Sequence, residues 1–458
     1  MIDSDYEAFL ERKRVRAQPS GFEPGPMHAA LREDQKDVTG FCLRQGRAAI
    51  FGDTGVGKSL DELEWCSQAA TASNGYALLL TPLAVTKQFL REGAKFGFDC
   101  QVVRDASQVR PGINICNYER LDLLDTSRFG AVALDESSIL KSYTGKTTRK
   151  LIDAFAQTPY RLCATATPAP NDHMELGQHA EFLGVMPSNE MLARWFISDQ
   201  TEMGRYRLKG HGVNDFWDWV ASWARCFETP ADLGYDVPGF VLPKLNIVRH
   251  QSMGDLRAPA GSLFLEDLSA TNIHDIKRQT AATRARNAAE IMAAHFGEVW
   301  IIWTDTDYEA DAVKAVNPGL VEVRGAMTLE QKETGIERFL EGTVSLLTKP
   351  SVCGAGLNFQ HSAHMIYIGR SFSYEAFYQS VRRVWRYGQK REVWVHLIVA
   401  EGESQIGRVI DRKAADHRIM KDAMRAAMKR AMAKASELKV KYDPRHMGEL
   451  PIWLQSVA

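Results

Sequence analysis

Between residues 28 and 184, short apolar runs alternate with amphipathic stretches. "RAAIF" (47–51), "YALLLT" (76–81), "INIC" (113–116), "AVALD" (131–135) and "RLCAT" (161–165) read as strands buried on both faces. Segments such as 59–73 and 84–96 separate most of them, and this alternation predicts a doubly wound α/β sheet. A second α/β run spans about 278–402, with "VWIIWT" (299–304), "LVEV" (320–323), "SLLT" (345–348), "HMIYIG" (364–369) and "VWVHLIV" (393–399) as its strands. The chain therefore divides into an N-terminal extension (1–27), a first lobe (28–184), an insert and inter-lobe region (185–277), a second lobe (278–402) and a helical C-terminal extension (403–458).

The insert is rich in aromatic residues, with "DFWDWVASWARCF" at its centre. Trp217, Trp219 and Trp223 there could form a stacking platform for bases. Trp219 and Trp223 stand four apart on a predicted helix, however, and packing of a small core is the favoured expectation. In the extension, Met420, Met424, Met428 and Met432 mark one apolar face of a long helix. From Arg408 to Lys441 eleven Lys or Arg stand against four Asp or Glu, so this helix is basic. It could track phosphates, or dock its methionine stripe on the second lobe; the pattern supports both. The closing "DPRHMGELPIWL", with Trp453, reads as ordered.

Composition narrows the class. A chain of 458 residues exceeds one ordinary core and suggests about two to four domains. With 45% hydrophobic and 25% charged residues it reads as an ordinary soluble globular protein. The net charge of −1 neither favours nor excludes a nucleic-acid partner, because local patches decide affinity. Seven scattered cysteines (42, 66, 100, 116, 163, 226, 353) without a C-x-x-C pair predict reduced thiols, a cytoplasmic setting and no zinc. The charged start "MIDSDYEAFLERKRVRAQ" and the lack of any apolar run near about 18 residues predict no export signal and no membrane crossing.

The chemistry is concentrated in three segments. "GDTGVGKS" (Gly52, Asp53, Thr54, Gly55, Val56, Gly57, Lys58, Ser59) fits G-x-x-x-x-G-K-[ST]. In that pattern glycines let backbone N–H groups crowd round phosphate oxygens, the lysine reaches terminal phosphates, and the hydroxyl ligates Mg²⁺. The loop follows the first predicted strand and opens a helix, which is the context such a site needs. "AVALDESS" places Asp135 and Glu136 at the end of another strand, Asp135 to hold the metal and Glu136 to orient and deprotonate an attacking water. In "YQSVRRVWRYGQ", Arg383 and Arg386 sit three apart, so one helical face of the second lobe can deliver both to a transferring phosphoryl group. By spacing alone, an exposed helix with surface arginines is the favoured reading.

Taken in order, these segments resemble the superfamily-two helicases, specifically the Swi/Snf-like DNA translocases, over about residues 28–400. "LREDQ" is similar to the adenine-contacting Q motif, with Gln35 the matching residue. "LLLTPLAVTKQF", "NICNYERL" and "DESSILKSYTGKTTRKL" resemble further first-lobe segments, and "ATATPAPNDHMEL" resembles the coupling motif. "VWIIWTDT", "VCGAGLNFQHSAHMIYIG" and "QSVRRVWRYGQ" resemble the second-lobe motifs, the last with Gln379, Arg383, Arg386, Gly388 and Gln389 in register. The resemblance implies two tandem RecA-like parallel-sheet lobes closing on ATP and Mg²⁺, with catalysis by Lys58, Asp135, Glu136, Arg383 and Arg386 and metal bound by Ser59 and Asp135. It further implies nucleic acid, double-stranded DNA foremost, gripped near Thr81, Pro82, Asn117, Tyr118, Thr348 and Gly354, with Thr165, Thr167 and Gln379 coupling that grip to the nucleotide. Compact helicase-like proteins encoded by bacteriophages are similar, which implies a bacterial host cytoplasm and phage or host replication or recombination proteins as partners. Departures are Ser138 in place of a coupling histidine, Arg382 where relatives often carry Gly or Asp, and Cys353 and Ala355 where they carry Ala or Gly. Three activities stay open: translocation on duplex DNA, strand separation on DNA or RNA, and a nucleotide-gated scaffold with little turnover. A DNA-packaging motor shares the loop and acidic pair, but no acidic nuclease cluster follows residue 400.

Overall fold

The computed structural model describes residues 15–142, 145–198, 206–252, 270–353, 357–400 and 404–438. In chain order its strands are β1 (Arg47–Gly52), β2 (Tyr76–Thr81), β3 (Cys100–Val102), β4 (Gly112–Asn117), β5 (Ala131–Asp135), β6 (Tyr160–Ala164), β7 (Phe196–Ser198), β8 (Tyr206–Leu208), β9 (Ala224–Phe227), β10 (Leu245–Ser252), β11 (Trp300–Trp303), β12 (Val321–Val323), β13 (Leu346–Thr348), β14 (His364–Tyr367) and β15 (Val393–Ala400). The first lobe is a parallel sheet in the order β3-β4-β2-β5-β6-β1-β9, and the second a parallel sheet in the order β10-β15-β14-β11-β13-β12. The molecule thus consists of two tandem RecA-like α/β lobes; the alternating pattern predicts the α/β sheets and the resemblance their tandem arrangement.

Strands β1, β2, β4, β5 and β6 are buried almost throughout, which is why their sequences are continuous apolar runs rather than alternating ones. The segment 185–277, set apart by composition, supplies an edge strand to each sheet. β9 pairs with β1 in one lobe and β10 with β15 in the other, while β7 and β8 form a separate antiparallel pair. Trp217, Trp219 and Trp223 lie on the helix Val213–Trp223 and are at most 4% exposed. Trp219 stacks on Trp195 at 4.8 Å and meets Trp223 edge-on at 5.5 Å, so these rings build a core and not a platform for bases.

The helix Ser404–Leu438 is about 50 Å long at 1.5 Å per residue. It leaves the second lobe, where Ile406 and Ile410 meet Tyr374, and crosses to the first. Met420 and Met424 enter one core of that lobe and Met428 the other. The methionine stripe therefore docks on the first lobe, not the second; helical periodicity fixes an apolar face but not its destination. Arg425 reaches Glu228 at 2.9 Å and Arg430 reaches Asp218 at 2.5 Å, so part of the helix's positive charge is matched by acids of the surface it covers. Trp453 and the closing segment lie outside the described residues. Among the described residues no helix is long and apolar enough to cross a membrane.

Candidate active site

β1 ends at Gly52 and the helix Lys58–Ala72 begins six residues later, so the intervening loop must turn back above the sheet edge. Gly55 and Gly57 make that turn with φ of +90° and +101°. A Cβ on Gly57 would stand 2.8 Å from Gln35 Nε2 and displace that amide, but it is the left-handed backbone that demands glycine there. The helix N-terminus points its free N–H groups into the loop, the arrangement that binds anions. Lys58 Nζ donates to the carbonyls of Gly52 at 2.8 Å and Asp53 at 3.1 Å, and burial pushes its pKa down against the pull of Glu136 and Asp135.

Asp135 closes β5, two strands from β1 across β6, so its carboxylate meets the loop at the carboxyl edge of one sheet. Burial raises the Asp135 carboxyl to about 8, the neighbouring Glu136 adds to the rise, and Lys58 opposes it. Glu136 follows with φ of +51°, which among the described residues is the one positive φ outside glycine. Thr165 Oγ1 donates to Glu136 Oε2 at 3.4 Å, Thr167 N donates to Thr165 Oγ1 at 3.1 Å, and Gln379 Nε2 of the second lobe donates to Thr167 Oγ1 at 3.4 Å. The three residues expected to couple the lobes thus form one chain from Glu136 to the helix Tyr374–Val381.

The second lobe contributes both arginines. Arg383 Nη2 stands 3.8 Å from Glu136 Oε1, and Arg386 overlies the loop, since a Cβ on Gly55 would lie 3.5 Å from its Nε. Burial lowers the pKa of Arg383, and takes Arg386 down to about 10 with further repulsion from Arg383 and Arg382. Lys141 with Glu375, and Lys87 with Glu333 at 2.6 Å, also pair across the lobes. One cavity of about 390 Å³ is lined by Gln35, Thr54, Gly55, Gly57, Lys58, Ser59, Asp135, Glu136, Arg383 and Arg386 together. Its volume suits a small-molecule ligand.

Other expected residues are placed differently. Gln35 is 3% exposed and its amide is engaged with the Gly57 carbonyl at 3.1 Å and Asp61 at 3.0 Å, so it braces the loop instead of facing open solvent. Thr81 and Thr348 are buried and bonded internally, to Thr86 at 3.0 Å and to the Val323 carbonyl at 2.8 Å. The Tyr118 hydroxyl donates to the Asp135 carbonyl at 2.6 Å, so it supports the acidic strand end rather than presenting a ring to nucleic acid. All three side chains are thus turned inward and bonded within their own lobe. Pro82 is partly exposed, Asn117 is buried with Oδ1 unpartnered, and Gly354 lies outside the described residues.

Sequence reasoning passed over Phe89, Lys95 and Phe96, which line the cleft from the helix Thr86–Phe96. It also passed over Glu62, fully buried with neither carboxylate oxygen partnered, whose carboxyl burial and Asp135 push well above the usual range. An acid four residues after the lysine, within the amphipathic stretch 59–73, was the available signal.

The fold and site define a two-lobed α/β protein with a glycine-rich loop at the cleft between its lobes. Residues 285–388, within the second lobe, match the family described as helicase conserved C-terminal domain. Among solved structures the chain is similar to a Sulfolobus solfataricus SWI2/SNF2 ATPase core in complex with dsDNA, at 16% identity over 89% of this chain and 95% of that one, with a TM-score of 0.41. No curated protein matches the chain.

Proposed function

We propose that this protein is a nucleic-acid-dependent ATPase, a translocase that couples ATP hydrolysis between its lobes to movement along double-stranded DNA. The observation that carries the reading is the single cavity in which Lys58, Ser59, Asp135 and Glu136 of one lobe meet Arg383 and Arg386 of the other. The helicase C-terminal domain in residues 285–388 supports it. The cradle fits a polyphosphate: Gly55 and Gly57 hold a left-handed backbone that other residues rarely adopt, and its buried cations have depressed pKa values that an incoming anion would restore. Mg²⁺ held by Ser59 and Asp135 would supply charge neutralisation at the phosphates.

In this reading Lys58 leaves the loop carbonyls for the terminal phosphates, and Glu136 holds the attacking water and takes its proton. Arg383 and Arg386 balance charge on the transferring group only while the lobes are together. The chain Glu136–Thr165–Thr167–Gln379 gives the second lobe a direct hydrogen-bonded connection to the hydrolytic carboxylate. Nucleic acid would lie across the strand ends at Thr81, Pro82, Asn117 and Thr348 and at Gly354, held through its phosphates, with little sequence preference and a steep salt dependence. A second reading is strand separation, for which the antiparallel pair β7–β8 is the candidate element: it is bonded to neither lobe sheet, although Phe196 anchors it in the first lobe's core.

Steady-state ATP hydrolysis tests the reading, with no nucleic acid, duplex DNA, single-stranded DNA or RNA, and Lys58→Ala and Glu136→Gln as blanks. Stimulation by duplex DNA is expected. Preference for single strands would favour strand separation, and no stimulation above the blanks would contradict both.

A further inference from the structure

The side chain of Asp53, the loop residue after Gly52, has no phosphate role, yet its buried carboxylate collects three groups from outside the first lobe. The Tyr378 hydroxyl donates to Oδ1 at 2.6 Å, and Arg382 Nη2 donates to Oδ2 at 2.8 Å and to the Thr54 carbonyl at 3.0 Å. Lys421, from the C-terminal helix, places Nζ 3.6 Å from Oδ1 and donates to the Tyr378 hydroxyl at 3.1 Å. Lys421 also stands 3.5 Å from Glu228, and the Thr54 N–H completes the shell of Asp53 at 2.8 Å. Burial alone would raise the Asp53 carboxyl, but Lys421 and Arg382 hold it well below the usual carboxylate range.

Arg382 is 1% exposed and Lys421 5%, and charges so buried persist only when paired. An aspartate in place of Arg382 would repel Asp53, so the pairing depends on the charge this chain carries at that position. The backbone of residues 52–54 decides whether the loop's N–H groups converge on an anion, and it is tied on one side by Lys58 and on the other by Arg382. We infer that Tyr378, Arg382 and Lys421 are positioning residues that set the phosphate loop through Asp53, making nucleotide affinity depend on the second lobe and on the docked C-terminal helix. The inference rests on the nucleotide reading of the cleft.

The test is equilibrium binding of a fluorescent ATP analogue to the full chain without nucleic acid, with a melting temperature for every variant. Lys421→Met and Tyr378→Phe are each expected to weaken binding about tenfold, and Lys421→Arg to recover most of the loss. Asp53→Asn combined with Lys421→Met should bind no more weakly than Asp53→Asn alone, because both act on one carboxylate. Variants that melt lower but bind the analogue as wild type does would overturn the inference and leave the cleft reading standing. Losses that multiply in the double variant would overturn it too. A wild-type protein that bound no analogue would overturn the cleft reading and this inference together. Should Lys421→Met fail to fold, Tyr378→Phe, which removes a single oxygen, carries the test.

Discussion

Glu136 adopts a left-handed backbone at φ +51° where glycine would rest without strain. Strain held at a residue of this chemistry indicates that its carboxylate direction matters more than local stability. The comparison of Glu136→Gly with Glu136→Ala separates the two contributions. Both lose the carboxylate and should lose hydrolysis, but the glycine variant should be more stable by about 1 kcal/mol, because alanine keeps the left-handed penalty. Equal denaturation midpoints would show that the backbone relaxes and that no strain is stored. At this scale much was legible. Lys58 and Asp135 could be picked out because phosphate chemistry calls for those residue types at a helix start and a strand end, whereas Arg383 and Arg386, in the turn after the helix Tyr374–Val381 and not on its face, were picked out through the resemblance. The inward turns of Thr81, Tyr118 and Thr348 were not legible, because a motif match does not say which side of a strand end faces solvent.

The elements show where periodicity speaks and where it stops. The core strands of both lobes could be read from apolar runs, whereas β3, β9 and β10 could not. β3 has three half-buried residues, β9 lies inside an aromatic stretch, and β10 is an edge strand with an alternating half-polar pattern. β10 and β15 also carry a prediction. His250 Nε2 and His396 Nδ1 approach to 2.9 Å with the rings stacked, and His295 and His364 lie beside them. Burial, then the repulsion of His250, His295 and His364, pushes His396 down to about 4. The folded imidazole stays neutral while an unfolded one takes up a proton near pH 6.5, so this contribution is complete above that pH and is lost as pH falls towards 4. The melting temperature should therefore drop further between pH 7 and pH 5 for wild type than for His396→Gln; parallel drops would contradict it. In the C-terminal helix, Met428→Ala should cost about 2–3 kcal/mol in a denaturant titration, because Met428 is fully buried in the first lobe. Ile419→Ala, at a site 64% exposed on the same helix, should be near neutral. A reversed order would mean that the helix does not dock as described.

At the scale of the molecule, two parallel sheets place one cleft between them, and the helix Ser404–Leu438 spans both lobes. The tandem lobes were legible from two series of apolar runs, but the strap was not, since nothing in a methionine stripe names its acceptor. Its docking on the first lobe also changes what truncation should do. Removing residues 408–458 uncovers Met-lined core surface and frees Asp53 and Glu228 from Lys421, so a loss of stability is expected alongside any loss of nucleic-acid affinity. The central claim is that hydrolysis requires cations delivered by the second lobe to a phosphate site on the first. Steady-state ATP hydrolysis at saturating duplex DNA by Arg386→Ala, with nucleotide binding measured alongside, tests it most directly. The account predicts a fall in kcat of about 10³-fold or more with binding largely retained; turnover within a few-fold of wild type would contradict it.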